Sequence, residues 1–130
     1  MDERMVFLNT ATVRITPEIL SLIFLYYRDG ISASDICDFS GHLKNNISRA
    51  VTALEKKKLI RRETDKDDQR RQIIFITAAG RRQHDSFMPG LIERERAMMA
   101  CLSEGERKQL DKLLSKLCAH TPEWNHEAHI

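Results

Sequence analysis

One segment, predicted to be helical over about 44–57, carries polar and basic side chains opposite its apolar face. The apolar face consists of Ile47, Ala50, Val51 and Leu54, which recur three and four residues apart. The other face carries groups that can hydrogen-bond to DNA: Lys44, Asn45, Asn46, Ser48, Arg49 and Thr52. In the major groove, arginine pairs with guanine and asparagine with adenine through two hydrogen bonds. The residue types therefore predict base recognition by this helix.

A polar turn at 65–71 joins two predicted strands, 60–64 and 72–77, in which the hydrophobic period changes from 3.6 toward 2. The turn supplies Arg70 and Arg71, whose guanidinium groups suit phosphates or a narrow minor groove. Asp68 is predicted to orient Arg70 through a charge-assisted hydrogen bond rather than to contact DNA itself.

The charge distribution agrees with a DNA-binding middle segment. The whole chain has a net charge of only +2 over 130 residues. Residues 41–71, however, carry ten basic and five acidic side chains, whereas residues 1–40 carry three and six. Such asymmetry indicates nucleic-acid contact, although a solvated helix face would also produce a run of charges.

Several other classes are not expected. No apolar run approaches the roughly 20 residues that span a bilayer, and residues 1–14 lack a signal-peptide core, so we expect a cytoplasmic protein without a membrane partner. We find no nucleophile–base pair, phosphate-binding loop or metal-ligand spacing, and therefore expect no enzyme, metal or cofactor. Cys37, Cys101 and Cys118 form no CxxC pair, which fits reduced thiols, and Cys37 is predicted to be an inert core residue.

The segments around this helix have clear start and stop signals. Thr16 and Pro17 begin a buried apolar helix that ends at Asp29-Gly30, and Ile31 is expected to be extended. Ser32 and Asp35 resemble a capping box for a short second helix that stops near Ser40-Gly41. Leu43 is expected to pack as an anchor of the following turn.

A long helix is predicted from Ala78, capped by Thr77, to about Cys101. Pro89-Gly90 should kink or break it, because proline removes a backbone donor and clashes with the preceding turn. Ser103 and Glu106 form a capping box for a last helix, whose apolar stripe is Leu110, Leu113, Leu114 and Leu117.

This order of elements predicts a mostly α fold with a small β-hairpin wing, that is, a winged helix-turn-helix. We expect a single domain over 1–130, with a DNA-binding lobe at about 30–80, dimerisation helices at 1–15 and 85–120, and a loose tail at 121–130. A homodimer would bury the terminal apolar segments and place two recognition helices one DNA turn apart, roughly 34–36 Å. Its DNA partner would be a pseudo-palindromic duplex.

From about Thr16 to Leu117 the chain resembles the MarR (multiple antibiotic resistance regulator) family of bacterial winged-helix transcription factors. The resemblance is carried by LEKKKLIRR (54–62), the wing DKDDQRR (65–71), ITAAG (76–80) and the last helix, LSEGERKQLDKLLSKL (102–117). The family pattern is matched at Asp65, Asp68, Arg70, Thr77 and Gly80. The chain departs from it at Lys66, where proline is usual, at Gln69, and in its short N-terminal segment.

The resemblance implies a transcription regulator, with a repressor favoured, that is relieved by a small aromatic effector bound between the dimerisation helices and the DNA-binding lobe. By position only, Arg14, Tyr26 and Tyr27 are the effector-site candidates. Two alternatives remain open: a winged helix that binds proteins instead of DNA, and a redox-sensing regulator of the same family that acts through Cys101 or Cys118.

Overall fold

Five helices and two strands make up residues 15–120, the part of the chain that the computed structural model describes. In chain order they are α1 (Pro17–Tyr27), α2 (Ala33–Ser40), α3 (Lys44–Lys56), β1 (Ile60–Thr64), β2 (Gln72–Ile76), α4 (Ala78–Met99) and α5 (Glu104–Ala119). None of the helices in the described residues is long and apolar enough to cross a membrane. The predicted mostly α fold with a hairpin wing is confirmed.

Side chains at the helix starts act as the sequence predicts. The Thr16 hydroxyl accepts a hydrogen bond from the Ile19 N–H at 3.3 Å, and Pro17 follows at the first helical position. Reciprocal capping boxes join Ser32 to Asp35 at the start of α2 and Ser103 to Glu106 at the start of α5. These bonds satisfy N–H groups that have no partner within the helix.

Helix α1 forms the centre of the core, as its apolar pattern predicts. Leu20, Leu22, Ile23, Phe24 and Leu25 are buried, and they pack with core residues from every other described element except α5, among them Ile36, Ile47, Val51, Leu54, Ile60, Ile74, Ile76, Met88 and Leu91. Tyr27 differs from the expectation, since 59% of it is exposed at the helix end.

The two predicted strands pair antiparallel, with Ile60 opposite Ile76 and Thr64 opposite Gln72. Ile31 adds a single bridge to this sheet, because the Ile74 N–H donates to the Ile31 carbonyl at 2.8 Å. The extended conformation predicted for Ile31 is therefore confirmed, and it ties the start of the helix-turn-helix to the wing.

Helix α4 runs through Pro89 without interruption, so of the kink or break predicted there, a break is wrong. Pro89 and Gly90 are exposed, whereas the flanking Met88 and Leu91 are buried in the core. Burial of these two apolar side chains holds both halves of the helix in place, and water can reach the carbonyl group that proline leaves without a donor.

Of the leucine stripe predicted for α5, only Leu114 is buried, while Leu113 and Leu117 are exposed. Ile92 on α4 is exposed as well, so apolar side chains of both helices remain accessible in the single chain. Cys37 packs against the core as predicted, and Cys37, Cys101 and Cys118, all within residues 15–120, form no disulfide with one another.

The first turn of α4 lies directly against the backbone that follows α3. The Thr77 N–H donates to the Leu59 carbonyl at 3.0 Å, and the Thr77 hydroxyl donates to the Lys58 carbonyl at 2.8 Å. A Cβ atom on Gly80 would overlap the carbonyl oxygen of Leu59 and lie 2.7 Å from Cγ1 of Ile76. Glycine is therefore required here by close backbone approach.

Gly80→Ala should destabilise the protein by about 1–3 kcal/mol or more, because the overlap involves backbone that cannot rotate away. The matched control is Gly90→Ala in the same helix, where an added Cβ meets no atom within 4 Å. That change should stabilise the protein by about 0.5–1 kcal/mol, through the lower helix propensity of glycine. Urea unfolding followed by circular dichroism measures both, and equal effects of the two changes would contradict the packing argument.

Candidate nucleic-acid interface

Helix α3 presents the predicted polar face to solvent. Ile47, Ala50, Val51 and Leu54 are buried, which fixes the rotation of the helix about its axis. Asn45, Ser48, Arg49 and Thr52, at i, i+3, i+4 and i+7, are consequently exposed together with Lys44, while Asn46 is half-buried. The structure thus brings the six residues predicted on this helix onto one surface, with Asn46 at its edge.

Arg49 and the two asparagines form a local hydrogen-bonded group. The Arg49 Nη2 donates to Oδ1 of Asn46 at 3.3 Å, and its Nε donates to the Asn45 carbonyl at 3.4 Å. Both bonds are long and exposed, so a base edge or a phosphate can replace them at little cost. The contacts hold the guanidinium group over the first turns of α3 before any ligand arrives.

Arg62 on β1 links the recognition helix to both strands, a role that the sequence did not reveal. Its Nη2 donates to the Thr52 hydroxyl at 3.1 Å, its Nη1 donates to Oε1 of Gln72 at 3.4 Å, and its Nε lies 3.5 Å from Oε2 of Glu55. The Thr52 hydroxyl therefore acts as an acceptor within the chain and retains its hydrogen for an external acceptor.

Aspartate side chains shape the tip of the wing. The Asp67 N–H donates to Oδ1 of Asp65 at 2.9 Å, and the Arg70 N–H donates to Oδ1 of Asp68 at 3.0 Å. The Arg70 Nε lies 3.8 Å from the same Asp68 oxygen, and the Arg70 side chain is 97% exposed. Asp68 is in position to orient Arg70, and that role stays a prediction.

Arg71 points back into the protein rather than outward like Arg70. Its Nη2 donates to Oδ2 of Asp35 at 2.8 Å, and the same carboxylate oxygen accepts the Ser32 N–H at 3.0 Å in the α2 capping box. This ion pair crosses a cleft of about 680 Å³ between α2 and the wing. The predicted DNA contact of Arg71 stays a prediction, but in this arrangement the residue anchors the wing.

The ionised form of Asp35 is favoured by these contacts. Burial raises the pKa of Asp35, but hydrogen bonds with the Ser32 backbone and side chain and the nearby Arg71 outweigh it, so this pKa lies below its ordinary value. The carboxylate is therefore charged near neutral pH and can bind both groups.

Tyr26 and Tyr27, two of the three effector-site candidates, belong to an aromatic cluster at the end of α1. Tyr26 stacks on the buried His84 of α4, with ring centroids 3.7 Å apart, and Phe87 contacts the same histidine edge-on. Tyr27 packs against Tyr26 and keeps most of its surface exposed. Arg14 lies outside the described residues.

Comparisons with known proteins agree with this fold. Residues 16–71 match a family model described as MarR family. The solved MepR–DNA complex of S. aureus is 29% identical to this chain, with a TM-score of 0.71, and covers 88% of this chain and 85% of MepR. A probable transcriptional regulator from Pseudomonas aeruginosa is 27% identical, with a TM-score of 0.70, and covers 88% of this chain and 87% of that one.

A third solved relative has lower identity and shows similarity of fold alone. Bordetella bronchiseptica BpsR, whose DNA binding is described as regulated by 6-hydroxynicotinic acid, is 20% identical with a TM-score of 0.71 and covers 88% of this chain and 84% of BpsR. No curated protein matches the chain in sequence.

The ion pair between Arg71 and Asp35 should be measurable as a coupling energy. In a double-mutant cycle of Arg71→Ala and Asp35→Asn, we expect the two effects on the free energy of unfolding to be non-additive by about 0.5–1 kcal/mol. The more exposed pair of Arg96 and Glu93 on α4, with 3.2 Å between Nη1 and Oε2, is the control and should couple more weakly. Additive effects at Arg71 and Asp35 would mean that the wing is not anchored in this way.

Proposed function

We propose that this chain is a winged-helix transcription regulator of the MarR family that binds a pseudo-palindromic operator as a homodimer and represses transcription. The match of residues 16–71 to the MarR family model and the similarity of the fold to MepR support this proposal. The main observation that supports this proposal is the solvent-exposed polar face of α3, which lies beside a wing whose Arg70 side chain is 97% exposed. Recognition helices read base edges in the major groove, and a wing arginine suits phosphate or the minor groove.

In this proposal Asn45, Asn46, Ser48, Arg49 and Thr52 contact bases or nearby phosphates, and Lys44 contacts the backbone. Arg70 contacts the minor groove or a phosphate and is oriented by Asp68. Arg71, in the same wing, contacts a phosphate or the minor groove as well. A winged helix that binds proteins would instead be expected to expose an apolar or acidic face at this place. The exposed face of α3 is polar and basic, which favours DNA.

The dimer is proposed from the apolar side chains that the single chain leaves exposed. Ile92, Leu113 and Leu117 are exposed on α4 and α5, outside the helix-turn-helix and wing. Two-fold pairing through this region would bury these side chains. It would also place the recognition helices of the two protomers about one DNA turn apart. The operator should then contain two related half-sites.

Selection of bound duplexes from a random DNA pool tests binding, palindromy and half-site spacing together. Against the selected site, Arg49→Ala should cost about 1–3 kcal/mol and relax the base preference at one position of each half-site. Arg70→Ala should weaken binding to all sequences and reduce the slope of log K against log salt by about one for each phosphate that is no longer neutralised.

Lys108→Ala on α5 is the control of equal charge change, because Lys108 lies outside the helix-turn-helix and wing. It should leave both the affinity and the salt slope unchanged. Repression is tested by transcription in vitro from a promoter carrying the selected site, where added protein should lower the transcript. No enrichment of any sequence would contradict the proposed function, and an increase in transcript would contradict repression.

We further propose that a small aromatic acid is the effector and that Tyr27, beside the cluster of Tyr26 and His84, contributes to its site. BpsR, a fold relative, is described as responding to 6-hydroxynicotinic acid. A ligand that binds only the folded protein raises its melting temperature with concentration. The rise should be lost in Tyr27→Ala and retained in Tyr27→Phe, and a library of aromatic acids without effect would contradict the effector.

A further inference from the structure

We propose that Leu43 determines part of the DNA specificity by contacting the C5-methyl group of a thymine in the major groove. This inference rests on the proposed DNA binding and adds an apolar contact to it. Leu43 is the N-cap residue of α3, and 53% of it is exposed. It is not among the partly buried side chains that pack against the core, so the packing expected of it as the anchor of the turn does not involve the core.

The start of α3 differs from that of the other four described helices. In each of those, a hydroxyl side chain accepts a hydrogen bond from the first turn, at Thr16, Ser32, Thr77 and Ser103. At Leu43 there is no side-chain cap. Leucine is among the least favourable N-cap residues, so helix stability does not explain its presence at the leading end of the recognition helix.

Burial does not explain it either. His42, the preceding residue, is half-buried, and this burial lowers the pKa of its imidazole by disfavouring the charged form. The turn therefore places a polar ring partly inside and an aliphatic side chain outside, so burial in this chain does not account for the leucine. A residue that opposes the local capping preference, as Leu43 does, is expected at a functional site.

Backbone hydrogen bonds join Leu43 to the first turn of α3. Its carbonyl accepts the N–H groups of Asn46 at 3.1 Å and Ile47 at 3.2 Å, and Ile47 is fully buried in the core. The Leu43 side chain therefore lies directly before Lys44 and Asn45, the first polar residues of the recognition face.

The chemistry of the major groove offers one apolar partner at this place. Residues at the N-terminal end of a recognition helix contact base edges. Among the groups that those edges present, the methyl group of thymine is the apolar one, and aliphatic or aromatic side chains contact it. Leu43 would then contact the methyl group of a thymine, and Asn45 would hydrogen-bond to the edge of a neighbouring base.

The test combines protein variants with a change of one DNA methyl group. In the selected operator, each thymine is replaced in turn by deoxyuridine, which lacks only the methyl. The wild-type protein should lose about three- to five-fold in affinity at one thymine per half-site, as expected for one buried methyl. Leu43→Ala should bind the thymine operator more weakly by a similar factor and respond no further to deoxyuridine at that position.

Two further variants separate base reading from folding and from general weakening. Leu43→Ser supplies a capping hydroxyl, so it should resist urea better than wild type and still lose the response to deoxyuridine. Lys44→Ala should bind all duplexes more weakly and keep that response.

Three results would overturn the inference. The first is an operator in which no deoxyuridine substitution changes the affinity, and the second is a Leu43→Ala protein whose affinity responds to deoxyuridine like that of the wild type. The third is a shift of the monomer–dimer equilibrium by Leu43→Ser, which would place Leu43 against a second copy of the chain. A wild-type protein that selects no duplex would instead refute the proposed function itself.

Discussion

The backbone contact between the first turn of α4 and the residues that follow α3 joins the recognition helix to both strands of the wing. Thr77 donates to the carbonyl groups of Lys58 and Leu59, and its hydroxyl accepts the Gly80 N–H at 3.1 Å. One residue thus caps α4 and ties it to the exit of the recognition helix. Because β1 begins at Ile60 and β2 ends at Ile76, both strands of the wing emerge from this junction.

Some basic side chains of residues 41–71 form ion pairs or hydrogen bonds within the chain. Fewer of these charges are therefore available to DNA than the net charge of the segment suggests. Lys57 pairs with Glu18 on α1, Arg62 bonds to Thr52 and Gln72, and Arg71 pairs with Asp35. These three of the ten basic residues of 41–71 connect α1, α2 and α3 to one another or to the wing. Asp65 and Asp68 of the wing likewise accept backbone N–H groups rather than only reducing the local charge.

The elements that could be predicted from sequence are those fixed by local chemistry. The capping boxes at Ser32 and Ser103 and the alternating strand at 72–76 depend on residues within a few positions of one another, and all are confirmed. The pairing of Arg71 with Asp35 could not be predicted, because 36 positions separate the two residues and only the packed fold brings them together. The continuity of α4 through Pro89 depends in the same way on burial of Met88 and Leu91 in the tertiary core, which outweighs a local breaking signal.

Helix α4 joins the two regions through which an effector would have to act. Its first turn holds the recognition helix and the wing, its middle stacks His84 on Tyr26 of α1, and its later part exposes Ile92. A ligand can change DNA binding only by binding two arrangements of the protein with different affinity. Since α4 contacts the recognition lobe through a close backbone approach without a flexible linker, a change in its tilt at His84 would move the Thr77 junction with it. Packed interfaces of this kind transmit small shifts rather than absorb them.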